Sequence, residues 1–240
     1  MTFSTDQVKQ RIGRQAAQLV QPGMTIGIGT GSTAYWFINY LAERVQAGLS
    51  CRGVPTSKQT KLLAEERGIP MVELNDVDQI DLTIDGADEI NPALQLVKGG
   101  GGALLQEKMV AAASLKLIII ADESKLVKEL GKFPLPVEVV PYGWKQTRKQ
   151  IDLLGCKKSA LREAEGKIFI TDHGHYILDC HFHKIEDASV LTTQLNNIPG
   201  VVDNGLFIDM ADAALIGCTD GTIKEVLVSS AGSGSDQLSK

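Results

Sequence analysis

The 240-residue sequence lacks the features that would anchor it, cross-link it or give it a nucleic-acid surface. No apolar run approaches the ~20 residues that a membrane helix needs. The opening MTFSTDQVKQRIGRQAAQLV carries no apolar signal core after a basic start, so a cytoplasmic protein is expected. The four cysteines, Cys51, Cys156, Cys180 and Cys218, stand far apart and form no CxxC. That pattern argues against a disulfide framework or a cysteine metal finger, and predicts small buried residues in a reducing compartment. Positive charge is not in excess either. A net charge of -5 and a pI near 5.4 leave no footprint for nucleic acid, though a local basic pocket for a small anion remains open. No internal repeat is present.

What is there is an alternating chain. Val8, Ile12, Ala16, Leu19 and Val20 recur at helical spacing until Pro22-Gly23; MTIGIG reads as a buried strand. Ala34, Phe37, Ile38, Leu41 and Val45 form one helical face, Gly53-Val54-Pro55 starts a strand, and SKQTKLLAEERG is a helix closed near Gly68. DLTIDGADEI is a strand breaking at Asp85-Gly86, ALLQEKMVAAAS a helix, and KLIIIAD a buried strand. Strand and helix in alternation predict an α/β fold with a doubly wound, mainly parallel sheet.

The proline-rich GKFPLPVEVVPYGW marks a boundary. After it we expect a strand near 137–140, a helix near 143–154, and strands at 167–171 and 176–182 joined as a hairpin through Asp172-His173-Gly174. A helix near 187–196 and a strand near Val201 follow. That order predicts a smaller ferredoxin-like α+β domain. ADAALIGCTDGTIKEVLV turns at Asp220-Gly221 and returns to the first sheet. The expected division is thus 1–132 with 205–228, then 133–204, with a disordered tail over 229–240.

Four stretches can carry chemistry. GIGTGST, Gly27 to Thr33, lies between a strand and a helix start, where free N–H groups and hydroxyls suit a phosphate. It is neither a GxGxxG fingerprint nor a Walker loop, and a plain tight turn with Ser32 or Thr33 as helix cap is the alternative. DGADE crowds Asp85, Asp88 and Glu89 at a strand end, which suits proton transfer, a Mg²⁺ site, or merely a solvated turn.

In LVKGGGGALLQEKM, four glycines expose successive N–H groups beside the charge of Lys98. Glu107 follows a turn into the next helix, as a desolvated base or as an exposed acid beside Lys108. No structural need for four glycines is evident from sequence, so an anion cradle is expected. His173, His175, His181 and His183 offer a transition-metal set, or one wet strand face alternating with Tyr176, Leu178, Cys180 and Phe182.

Taken together, GIGTGSTA, TSKQT, IDGADEI, VKGGGGALLQEK, IADESK and GKFPLPVEV, with weaker NNIPGVV and GLF, resemble the type A ribose-5-phosphate isomerases. The resemblance spans most of the chain. It implies a two-domain, cofactor-free enzyme of the non-oxidative pentose phosphate pathway with no metal, and a homodimer or homotetramer. It implies that Thr30, Gly31, Ser32 and Thr33 form a substrate loop, with Ser32, Thr33, Lys125 and, less directly, Lys9 near the phosphate. Asp85 and Asp88, with Gly86 and Ala87 between them, would lie near the sugar hydroxyls. Lys98, Gly99, Gly100 and Gly101 would stabilise an anion, and Glu107 would be the catalytic base of a cis-enediol(ate) route.

Gly102 stands where alanine is also familiar in this family. The histidine-rich segment and VVDNGLF are less typical and leave the oligomer contacts open. Two rivals remain at this level: an acyl-CoA transferase using a glutamate nucleophile, and a sugar-phosphate-sensing regulatory module.

Overall fold

The computed structural model describes residues 2–227; the expected disordered tail, 229–240, lies outside the described residues. The first helix, α1 (Thr5–Ala17), starts at Ser4, whose hydroxyl and backbone trade hydrogen bonds with Gln7. Then come β1 (Thr25–Ile28), α2 (Ser32–Gln46), β2 (Arg52–Pro55), α3 (Lys58–Glu66) and β3 (Leu82–Asp85). Two-residue strands β4 (Glu89–Ile90) and β5 (Leu96–Val97) lead to α4 (Leu104–Ala112) and β6 (Leu117–Asp122).

The second half runs β7 (Leu135–Val139), α5 (Trp144–Leu153), β8 (Lys158–Leu161), β9 (Glu163–Ala164), β10 (Lys167–Ile168) and β11 (Tyr176–His181). It closes with α6 (Ala188–Asn196), β12 (Val201–Asn204), β13 (Leu206–Phe207), β14 (Ala213–Gly217) and β15 (Ile223–Leu227).

The large sheet has the order β15-β14-β6-β3-β1-β2, parallel except for the edge strand β15. Its central strands are buried on both faces, which is why KLIIIAD reads as a continuous apolar run. The chain steps from β1 to β2 on one side, then to β3 on the other. The crevice at the carboxyl ends of β1 and β3 is therefore a topological switch point, where open α/β sheets hold ligands. Among the described residues no helix is long and apolar enough to cross a membrane.

The smaller sheet, β12-β7-β11-β8, is antiparallel throughout, with α5 and α6 as its connections. The order strand, helix, two strands, helix, strand is the expected ferredoxin-like arrangement, over its own core of Leu135, Val137, Ile151, Leu178 and Leu195.

The expected hairpin between 167–171 and 176–182 does not form. Lys167–Ile168 folds back on Glu163–Ala164 instead, because Glu165 and Gly166 both take positive φ and close a tight turn. β11 pairs with β7 and β8, and β8 was not foreseen. A third small sheet, β13-β5-β4, joins the segments on either side of the acidic loop to the chain returning from the smaller sheet.

Candidate active site

Three segments converge at the switch point. β1 ends at Gly29, which takes no side chain because a Cβ there would lie 2.3 Å from Asp85 Oδ1. That close approach lets Asp85 accept hydrogen bonds from the N–H of Thr30 (3.0 Å) and of Gly86 (2.7 Å). α2 starts at Gly31 (φ 107) with no side-chain cap, so Ser32 and Thr33 are not capping residues. Ser32 Oγ instead accepts from Lys9 Nζ at 2.9 Å. Lys125, in the turn after β6, faces the same cleft. Neither lysine has a carboxylate partner among the described residues, so two cations and a helix N-terminus share one end of the cleft.

At the other end Lys98 is buried, with all three of its protons engaged. It donates to Gly86 O (2.6 Å) and to Glu107 Oε1 (3.0 Å), and lies 3.0 Å from Asp85 Oδ2. Two carboxylates thus share one ammonium. Asp85 has two backbone N–H donors besides, whereas Glu107 Oε2 is buried with no partner among the described residues. The proton that relieves this excess of negative charge therefore resides on Glu107. Burial, with Asp85 and Asp88 nearby, outweighs Lys98 and pushes its carboxyl up to about 8. Burial alone would lower the Lys98 ammonium, but Asp85 and Glu107 more than reverse this and raise it. The alternative of Glu107 as an exposed helical acid is thereby overturned: it is 5% exposed.

The glycine run has structural reasons that the sequence did not reveal. Gly99 (φ +98) and Gly102 (φ +84) adopt left-handed backbone; a Cβ on Gly100 would sit 2.6 Å from Asp88 Oδ1, and one on Gly102 would strike the Phe169 ring. Nor are all four N–H groups free. Gly100 donates to Asp88 Oδ2 (2.8 Å) and Gly102 to Gly99 O (2.9 Å). Only those of Gly99 and Gly101 lack a partner among the described residues.

The cleft, about 120 Å³, is lined by Lys9, Thr30, Gly31, Ser32, Thr33, Gly86, Ala87, Asp88, Lys98, Gly99, Gly100, Gly101, Glu107, Ala121 and Lys125. Every expected site residue lines it except Asp85, which lies behind Lys98 with both oxygens occupied. Sequence reading missed Ala121. It also missed the hydroxyl cluster in which Thr30 Oγ1 meets Thr56 (2.7 Å), Ser57 (2.9 Å) and Thr60 (3.0 Å), although TSKQT was a motif in view.

The histidines lie elsewhere. His175 Nδ1 is 2.9 Å from buried Glu138, and the His181 and His183 rings are 6.2 Å apart. Along β11 the expected wet face fails at Ile177, which is buried. All four cysteines are free, three of them buried.

The family described as ribose 5-phosphate isomerase A (phosphoriboisomerase A) has a sequence model that matches residues 52–221. A ribose-5-phosphate isomerase A of Bacillus mycoides is 57% identical over 219 residues, 91% of this chain and 98% of its own. That of Parvibaculum lavamentivorans is 50% identical over 226 residues, 92% and 98% of the two chains. The solved ribose 5-phosphate isomerase A of Methanocaldococcus jannaschii superposes with a TM-score of 0.88 at 41% identity, covering 93% of this chain and all of that one. A D-ribose-5-phosphate isomerase solved in complex with phospho-erythronic acid gives 0.90 at 40% identity, covering 94% and 100%.

Proposed function

The chain belongs to the ribose 5-phosphate isomerase A family and interconverts D-ribose 5-phosphate and D-ribulose 5-phosphate; on that premise we propose how its residues divide the reaction. The observation that carries the assignment is Glu107: buried, lining the cleft, and sharing Lys98 with a carboxylate that already has two other donors. Glu107 takes the proton from C2 of the open-chain aldose. The C–H electron pair becomes the C1–C2 double bond of an enediolate, and the carbonyl electrons move onto O1. The same carboxyl group then returns the proton to C1 as the ketone forms at C2.

The developing oxyanion is stabilised by the charge of Lys98 and by the unpaired N–H groups of Gly99 and Gly101. Because Lys98 has spent its three donors, it acts through charge. Asp88 offers Oδ1, free of partners among the described residues, to the hydroxyl protons that move in ring opening and between O1 and O2. Asp85 acts through Lys98 and the Thr30 and Gly86 N–H groups it holds.

The phosphate is received by Lys9, Lys125, Ser32, Thr33 and the start of α2. Phospho-erythronic acid, bound by one structural relative, fits the same division, with its phosphate at the lysine end and its carboxylate at the glycines. The two separate cores support a unit of 1–132 with 205–228 and a second of 133–204. The same reading makes this a cytoplasmic homodimer or homotetramer of the non-oxidative pentose phosphate pathway, a compartment in keeping with four free cysteines.

The test is proton NMR of ribose 5-phosphate in D₂O with the protein and with Glu107→Gln. The parent forms ribulose 5-phosphate carrying deuterium at C1. The variant loses about 10²- to 10⁴-fold in turnover with little change in KM. Near-normal turnover in the variant would remove Glu107 from the role.

A further inference from the structure

A run of glycines has no side chains to hold its peptide planes, yet a cradle for an oxyanion needs those planes fixed. The clamp comes from the smaller sheet. Arg162, just after β8, uses Nε and Nη2 on Asp179 of β11, with Nε to Oδ2 at 3.0 Å. Its remaining arm, Nη1, donates to Gly99 O (2.7 Å) and to Gly100 O (3.2 Å). From the same stretch, the N–H of Phe169 donates to Arg162 O at 2.9 Å, and the Phe169 ring covers Gly102.

In a trans peptide the C=O and the N–H of the same plane point opposite ways. Holding Gly99 O towards Arg162 therefore turns the Gly100 N–H away from it, and that N–H is found on Asp88 Oδ2 at 2.8 Å. Holding Gly100 O turns the Gly101 N–H in the same sense, and Gly101 lines the cleft with that N–H unpaired among the described residues. A cation on the carbonyl side also polarises each peptide, making its N–H a stronger donor.

We propose that Arg162, oriented by Asp179, is a positioning residue for the isomerisation: from the second unit it fixes and polarises the peptides that face the reacting oxygens. The inference rests on the glycine segment being the oxyanion cradle, and the experiment separates the two.

Arg162→Met, Arg162→Lys and Asp179→Asn are measured for kcat, KM and melting temperature. Each protein is also titrated with phospho-erythronic acid and with erythritol 4-phosphate, which lacks the carboxylate. Arg162→Met is expected to lower kcat about 10- to 100-fold with KM held within about threefold, because the phosphate end is untouched. Most of its preference for the carboxylate ligand disappears, and added guanidinium ion restores part of kcat. Lysine does not substitute, since a point charge cannot span Asp179 and two carbonyls.

If the parent shows no preference for the carboxylate ligand, the cradle reading falls. If the parent shows it and Arg162→Met keeps it, or keeps kcat within about twofold, the cradle stands and the role of Arg162 is overturned. A loss of kcat accompanied by equal weakening of both ligands and no guanidinium rescue would make Arg162 a contact between the two units only.

Discussion

A carboxylate that must accept a proton from carbon works best when water does not hold it, and burial of Glu107 supplies that condition at a measurable cost. Its folded value, about 8, lies above the ordinary 4.5, so folding favours the protonated form. The sign follows: this contribution to stability is complete below 4.5 and is lost as pH rises through about 8. Denaturant titrations of the parent and Glu107→Gln should diverge in favour of the variant as pH is raised across that window. Turnover runs the other way. Because the base must be ionised, kcat/KM of the parent should rise with pH through about 8. The glycines offer a second test at this scale. Gly100→Ala forces its Cβ against Asp88 and should cost about 10-fold or more in kcat, whereas Gly101→Ala meets only Thr30 Cγ2 at 3.8 Å and should be near neutral.

Secondary elements hold those residues in place through contacts that periodicity does not describe. α3 begins at Ser57, and the hydroxyls of Thr56, Ser57 and Thr60 converge on Thr30 at the end of β1; Thr60 also donates to Gly29 O at 3.0 Å. Thr60→Val keeps the shape and removes the hydroxyl from a buried cluster. Stability should fall by about 1–3 kcal/mol, and KM should rise as the substrate loop loosens; urea unfolding and steady-state rates read both.

The long elements around this cluster were legible, because α2 and β6 advertise themselves by 3.6-residue spacing and by an unbroken apolar run. β4, β5 and β13 were not. Two residues have no period, and they are strands only because distant chain segments lie beside them. The misjudged hairpin has a similar cause: the turn at Glu165-Gly166 outcompeted the one at Asp172-Gly174 for the same strand residues.

At the scale of the whole molecule, the two sheets meet at the glycine segment, where Arg162 reaches Gly99 and Lys108 of α4 reaches Asp203 and Asn204 O of β12. The smaller unit therefore bears on the chemistry without lining the cleft. The reaction proposed for this assembly uses charge and backbone donors from the chain itself, so turnover should persist in excess EDTA; abolition by chelation and recovery with added metal would favour the acidic loop or the histidines as a metal site.

The sequence by itself determined the alternation of strand and helix, the glycine breaks at strand ends and the set of residues around the cleft, since these depend on neighbours within a few positions. Tertiary structure decided which of the carboxylates holds the proton, which glycine N–H groups are free and what clamps them. Lys98 bonds to Glu107 nine residues on, and Arg162 to a carbonyl 63 residues away. Burial and hydrogen-bond competition arise only once such distant groups are brought into one space with too few donors to satisfy every oxygen.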